Sequence, residues 1–139
     1  MNQYDYRPDY RRNLPHYQPR GAILFVTFRL AGSIPIVVLQ RLKAEAEARE
    51  QRIRQAGDGP EQQRLLYEER KRQFGRWDDV LDEAKEGPHW LREPRIAAIV
   101  YDALCYRDGR VYDLDVFCIM PNHVHAVFAP LVKEDGTYH

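Results

Sequence analysis

Between Gly21 and the Gly32-Ser33 pair, residues 22–30 are almost all apolar, β-branched or aromatic, and turn-forming residues bound the run on both sides. That pattern predicts a first, largely buried strand. After Pro35 the character changes: Ala, Glu, Arg, Gln and Leu dominate from Ile36 to about Gln55, with Leu39, Leu42, Ala46 and Ile53 at roughly helical spacing. The expected helix carries a thin apolar stripe and a charged, solvated outer surface. Gly57-Asp58-Gly59-Pro60 breaks it, and a second charged helix should run from Glu61 to about Phe74. Gly75 is expected to separate that helix from a short amphipathic one, marked by Trp77, Val80, Leu81 and Ala84 and stopped by Gly87-Pro88.

The clearest helix follows Pro94, where Ile96, Ile99, Val100, Ala103 and Leu104 form one continuous apolar stripe that must pack on something. Asp108-Gly109 supplies a turn. From Tyr112 onward Leu114, Val116, Cys118 and Met120 alternate with Asp113, Asp115, Phe117 and Ile119, which predicts a second strand. Pro121-Asn122 then makes a short turn into a third strand from His123 to about Ala129, joined to the second as a tight hairpin. The order is strand, helical segment over 33–88, then amphipathic helix and hairpin over 94–130. It predicts one α+β domain over 1–139 with helices on one face of an antiparallel sheet. A ferredoxin-like fold begins this way and goes on to a second helix and a fourth strand. The expected fold is therefore an incomplete ferredoxin-like sheet with a helical insertion after the first strand. No internal repeat is visible.

Composition fits one ordinary globular domain, with 139 residues, 44% hydrophobic and 30% charged. The formal net charge of zero gives no global argument for a nucleic-acid partner, so distribution matters more than the total. Arg7, Arg11, Arg12 and Arg20 are interleaved with Tyr4, Tyr6, Tyr10 and Tyr17 in a basic arm over 1–20, whereas Asp78, Asp79, Asp82, Glu83 and Glu86 make a later stretch acidic. The arm reads equally as a phosphate-contacting segment or as a solvated one. No apolar stretch is long enough for a membrane span and no secretory segment follows the polar start, so a cytoplasmic protein is expected. Cys105 and Cys118 form no Cys-x-x-Cys motif and are expected to be reduced core thiols.

The chemistry concentrates on His123 and His125. Side chains alternate across a strand, so these two imidazoles share one face while Val124, Ala126 and Phe128 point to the other. Such a pair can hold a divalent cation and leave coordination positions open for water or phosphate oxygens. An i, i+2 pair is equally readable as exposed decoration. A jelly-roll metal site is disfavoured by the helical middle of the chain, and a structural zinc site needs two more ligands, for which only Cys105 or Cys118 is at hand. His16 and His89 each sit beside Pro in an apparent loop and are expected to be exposed.

The block from Met120 to Phe128, Met-Pro-Asn-His-Val-His-Ala-Val-Phe, resembles the HUH motif of the single-tyrosine transposases, with Val124 as the bulky apolar residue between the histidines. Arg11-Arg12-Asn13-Leu14-Pro15-His16-Tyr17, Phe25-Val26-Thr27-Phe28-Arg29-Leu30 and Gly87-Pro88-His89-Trp90-Leu91 resemble the REP-associated tyrosine transposase branch of that superfamily. The resemblance implies a ferredoxin-like domain that binds single-stranded, hairpin-forming DNA and nicks and rejoins it with a divalent metal, Mg²⁺ or Mn²⁺. No nucleotide cofactor or membrane is implied. It assigns His123 and His125 as metal ligands and makes Arg11, Arg12 and Arg20 candidate DNA contacts in an amino-terminal segment that helps hold the nucleic acid. The family's nucleophilic tyrosine lies on a helix well beyond the HUH strand, with a further metal ligand near it. This sequence ends at His139, so the catalytic tyrosine is expected beyond the chain end. Tyr138 reads as part of a connector, His139 as a solvated terminal residue, and Tyr101, Tyr106 and Tyr112 as aromatic packing at core edges. Three expectations follow: the first part of a transposase, an inactive hairpin-binding remnant, or a fragment without a stable fold.

Overall fold

The computed structural model describes the backbone of residues 9–11 and 15–17 and the complete residues 21–139. Arg12 and Arg20 lie outside the described residues, and Arg11 is placed by its backbone alone. The described chain divides into two compact units, one containing all the strands and the other spanning Leu30–His89. It is α+β, with three α-helices and a three-stranded antiparallel sheet beside a small two-stranded one.

In the first unit β1 (Asp9–Arg11) and β2 (Pro15–Tyr17) pair antiparallel. β3 (Leu24–Arg29), β4 (Tyr112–Ile119) and β5 (His123–Pro130) form the main sheet in the order β3-β5-β4, with the last strand in the centre. A 3₁₀ turn, η1 (Trp90–Arg92), leads into α3 (Pro94–Arg107). Pro94 opens that helix where its missing N–H has no intrahelical partner to lose. At the other end Gly109, at φ 70°, makes the turn into β4.

The helix packs on β4 through rings and a hydrogen bond. Tyr101 meets Phe117 edge-on with centroids 5.5 Å apart, and the Tyr112 hydroxyl donates to the Leu104 carbonyl at 2.9 Å. These contacts cover part of the expected stripe, Val100, Ala103 and Leu104, and leave Ile96 and Ile99 outside it. Ala97, Val100, Ala103 and Leu104 are half-buried, whereas Ile99 is 68% exposed and Ile96 also faces solvent. Packing partners, and not the tally of apolar positions, set which face is covered.

β4 departs from strict alternation in the same way. Leu114 pairs with Phe128 and Val116 with Val127, so Asp115 is an extra residue in the ladder, a β-bulge. The bulge inverts the phase: Tyr112 and Leu114 point inward before it, Phe117 and Ile119 after it, and Val116 and Cys118 are exposed. The expected grouping of Leu114, Val116, Cys118 and Met120 on one side therefore fails beyond Asp115. Both cysteines are exposed thiols, not core ones. β3 is half-covered instead of largely buried, with Phe25 and Phe28 exposed, because its only partner among the described strands is β5.

In the second unit α1 (Ile36–Ala56) and α2 (Gly59–Glu83) pack side by side. Arg49 pairs with Glu69, Arg70 with Glu50, and the Gln62 amide donates to the Arg54 carbonyl, so the two helices run antiparallel. The apolar stripe of α1 is the expected one, with Leu42 and Ala46 buried and Leu39 and Ile53 half-buried. Its charged face is not all solvated decoration, because Arg49 reaches across to a buried carboxylate.

α2 passes through Gly75 without a break. A single interior glycine costs about 1 kcal/mol relative to alanine, and here it is outweighed by a continuous buried stripe of Leu66, Glu69, Gln73 and Leu81. Gly87 does act as punctuation. Its φ is 92°, and an added Cβ would stand 3.0 Å from the Gly32 carbonyl oxygen. His89 is half-buried rather than exposed, its ring lying between the Ala84 carbonyl at 2.8 Å and the Gly87 carbonyl at 3.0 Å, where it ties down the chain leaving α2.

Candidate metal centre

β5 is hydrogen-bonded on both sides, to β3 and to β4, which fixes its backbone and hence the direction of every side chain it carries. Val124 and Ala126 are buried on one face, in register with Phe28 and Val26 of β3 and with Ile119 and Phe117 of β4. His123 and His125 take the other face. Their registers place Arg29 opposite His123, and Thr27 and Cys118 opposite His125.

The turn before β5 sets the first imidazole. Met120 N–H donates to the His123 carbonyl at 2.8 Å, closing the chain around Pro121-Asn122, and Leu91 N–H donates to the Pro121 carbonyl at 3.1 Å. No residue other than glycine has a positive φ among those described, so Pro121-Asn122 turns with ordinary backbone angles, the first fixed by the proline ring. Asn122 is thereby buried beside His123, with its Oδ1 2.6 Å from His123 Nδ1.

His123 is fully buried and His125 half-buried. Their rings stand at 83° with centroids 4.7 Å apart, and the two Nε2 atoms approach to 3.1 Å. On the far side of His125, Nδ1 lies 2.8 Å from the Thr27 hydroxyl. Phe25, on the same face of β3, is 54% exposed, and its ring lies 5.4 Å from that of His125 at an interplanar angle of 31°. Each imidazole therefore has its Nδ1 engaged by a protein oxygen and its Nε2 turned toward its neighbour.

This arrangement passes the geometric test for a divalent ion. Two nitrogens at right angles about 2.1 Å from a six-coordinate ion stand about 3 Å apart, close to the observed separation, whereas a tetrahedral centre spreads them to roughly 3.4 Å. Two lone pairs facing each other across such a gap repel unless a cation or a proton lies between them. A possible metal-binding group thus includes both histidines singled out in the sequence, and among the described residues neither Cys105 nor Cys118 joins it.

Thr27, Asn122 and Phe25 were not singled out in the sequence. Thr27 is the one hydroxyl in an apolar strand run, which is a signal of a kind, but only the β3–β5 register reveals what it meets. The candidate DNA contact Arg11 is a β1 residue whose side chain is not described, and Arg12 and Arg20 are outside the described residues. Among the tyrosines of the first unit, Tyr101 and Tyr112 belong to the other side of the sheet, against Phe117 and Phe128. No helix among the described residues is long and apolar enough to cross a membrane. No family model matches the chain, and comparisons with curated proteins and with solved structures likewise find no match.

Proposed function

We propose that this chain is a metal-dependent module for single-stranded, hairpin-forming DNA, of the kind that REP-associated single-tyrosine HUH transposases use to nick and rejoin DNA. The observation that carries the reading is the pair of imidazole nitrogens held 3.1 Å apart on the central strand of an antiparallel sheet. The strand order supports the accompanying fold reading. Taking β3, β4 and β5 as successive strands, the third lies between the first and second, as in a ferredoxin-like sheet lacking its fourth strand, with α1 and α2 as a helical insertion after the first strand.

His123 and His125 would hold the ion, Mg²⁺ or Mn²⁺. When bound, the ion offsets charge on phosphodiester oxygens and orients the phosphate. The chain's own residues do the rest. Thr27 and Asn122 orient the rings, Arg29 brings a cation to the same face for phosphate, and Phe25 offers an exposed ring on which an unpaired base can stack. Arg11, Arg12 and Arg20 add phosphate contacts from the arm, and neither a nucleotide cofactor nor a membrane is needed. The protein acts in the cytoplasm.

The nucleophile is not Tyr101 or Tyr112. Both belong to the opposite side of the sheet, and both hydroxyls are shifted upward, away from the phenolate: Tyr101 through its hydrogen bond with Cys105, Tyr112 through burial. That placement favours, as a second reading of this chain, binding without cleavage. Titrating the protein with Mn²⁺ and with a fluorescent DNA hairpin tests the proposal. Mn²⁺ binding that is lost in both His123→Ala and His125→Ala, with salt-sensitive hairpin binding, is expected. A wild-type chain that takes up no Mn²⁺ would falsify the metal reading. Covalent protein–DNA adducts in the Mn²⁺-loaded sample distinguish cleavage from binding alone.

A further inference from the structure

We propose that the face of α3 turned away from the sheet docks a second copy of this chain, related to the first by a two-fold axis that crosses the helix beside Ile99. The inference goes beyond the metal pair and uses none of its residues.

Helical spacing defines the face. Arg95, Ile99, Asp102 and Tyr106 follow one another at intervals of four, three and four, so they lie within about 60° of arc on one side of α3. Val100 and Leu104, which are half-buried, lie on the opposite side. Ile99 is 68% exposed, and Tyr106, expected to pack at a core edge, is 65% exposed with the Arg110 guanidinium 4.2 Å from its ring. Trp90, in the η1 turn that leads into the helix, is 61% exposed. Single apolar side chains at a surface are ordinary, but a row of three large ones along a helix and its lead-in turn marks an interaction surface.

The charges select the occupant. Arg95 and Asp102 are about 10 Å apart along the helix axis, too far to pair with each other. Among the described residues neither has an ion-pair partner. One is basic, the other acidic, and they stand on either side of Ile99, so the face is complementary to its own reversed copy. Laid antiparallel across an axis midway between the two charges, Arg95 meets Asp102 of the second copy, and Asp102 meets Arg95 of the second copy. The same reversal brings Ile99 against Ala98 and Ile99 at the centre, and Tyr106 beside Trp90 at each end. One patch thus serves both subunits, the isologous pattern of a two-fold dimer. A nucleic-acid backbone fits this face poorly, because Asp102 stands in the middle of it. The contact is one helix wide, so its area falls below about 1,200 Å² and the dimer is weak and reversible.

Sedimentation equilibrium of the full chain tests the proposal, in reductant so that the exposed thiols of Cys105 and Cys118 form no cross-link. Wild type is expected to pass from monomer to dimer as its concentration rises to about 0.3 mM. Arg95→Asp and Asp102→Arg, both at exposed positions, each set like charges against one another across the axis. Each should weaken the dimer by about tenfold or more while leaving the circular dichroism unchanged. Mixing the two variants puts opposite charges back at both contacts, so the equimolar mixture should associate where neither variant does alone. A wild type that stays monomeric over the whole range overturns the second copy as occupant. A dimer indifferent to both reversals, or variants that gain nothing on mixing, overturns this face as its interface.

Discussion

Replacing Glu69 with Gln separates a buried ion-pair cluster from the solvent-exposed pairs that cover α1 and α2. The Glu69 side chain is 6% exposed, and its Oε1 lies 2.6 Å from Arg49 Nε and 2.9 Å from Arg76 Nη1. Removing one partner of a fully buried pair costs about 3–5 kcal/mol, and an exposed pair is worth ~0–1 kcal/mol. Here the carboxylate is buried, but the guanidiniums are 26% and 37% exposed and can recover water, and Gln keeps the shape and one acceptor oxygen. A loss of about 2 kcal/mol at neutral pH is expected, between the two limits. The pH dependence is a second check. Burial alone raises the Glu69 carboxyl, but hydrogen bonds and charge from Arg76 and Arg49 outweigh it and hold the group below 4.5. A folded value below the unfolded one gives stability that is present above 4.5 and is lost as pH falls through the lowered value. Urea unfolding followed by helical circular dichroism should therefore show a gap between wild type and Glu69→Gln that is full at pH 7 and closes in acid. A gap under ~0.5 kcal/mol at neutral pH, or one that persists undiminished into acid, refutes the reasoning.

The remaining expectations concern the sheet. Phe25→Ala should weaken binding of single-stranded DNA by roughly 5- to 150-fold, the worth of one stacked base, and leave Mn²⁺ affinity unchanged; fluorescence anisotropy and metal titration read the two separately, and unaltered DNA binding rules the ring out as a platform. Phe117→Ala should cost about 2 kcal/mol or more, because its ring packs against Tyr101, whereas Val116→Ala should stay within ~0.5 kcal/mol of wild type. The opposite ranking in thermal unfolding would mean that the bulge at Asp115 is not present in solution.

What the sequence revealed and what it concealed divides along a physical line. The His123–Val124–His125 arrangement is legible because it needs nothing but the two-residue period of a strand, and β5 keeps that period without interruption between two partners. β4 carries an equally regular alternation of residue types, yet one inserted residue at Asp115 reverses its second half, and nothing in the apolar pattern marks the place. Gly75 works in the opposite direction: its local propensity predicts a break, but the stripe from Leu66 to Leu81 keeps the helix whole. The support around the imidazoles was hidden for a further reason. Thr27 and His125 are 98 residues apart in the chain and meet only because β3 lies in one particular register on β5. A slip of one residue would set Val26 or Phe28 opposite His125 and leave its Nδ1 facing hydrocarbon. Ligands that share a strand can be read from their spacing, but the groups that hydrogen-bond to those ligands depend on long-range pairing, so the register of β3 against β5 shapes this site as much as the histidines do.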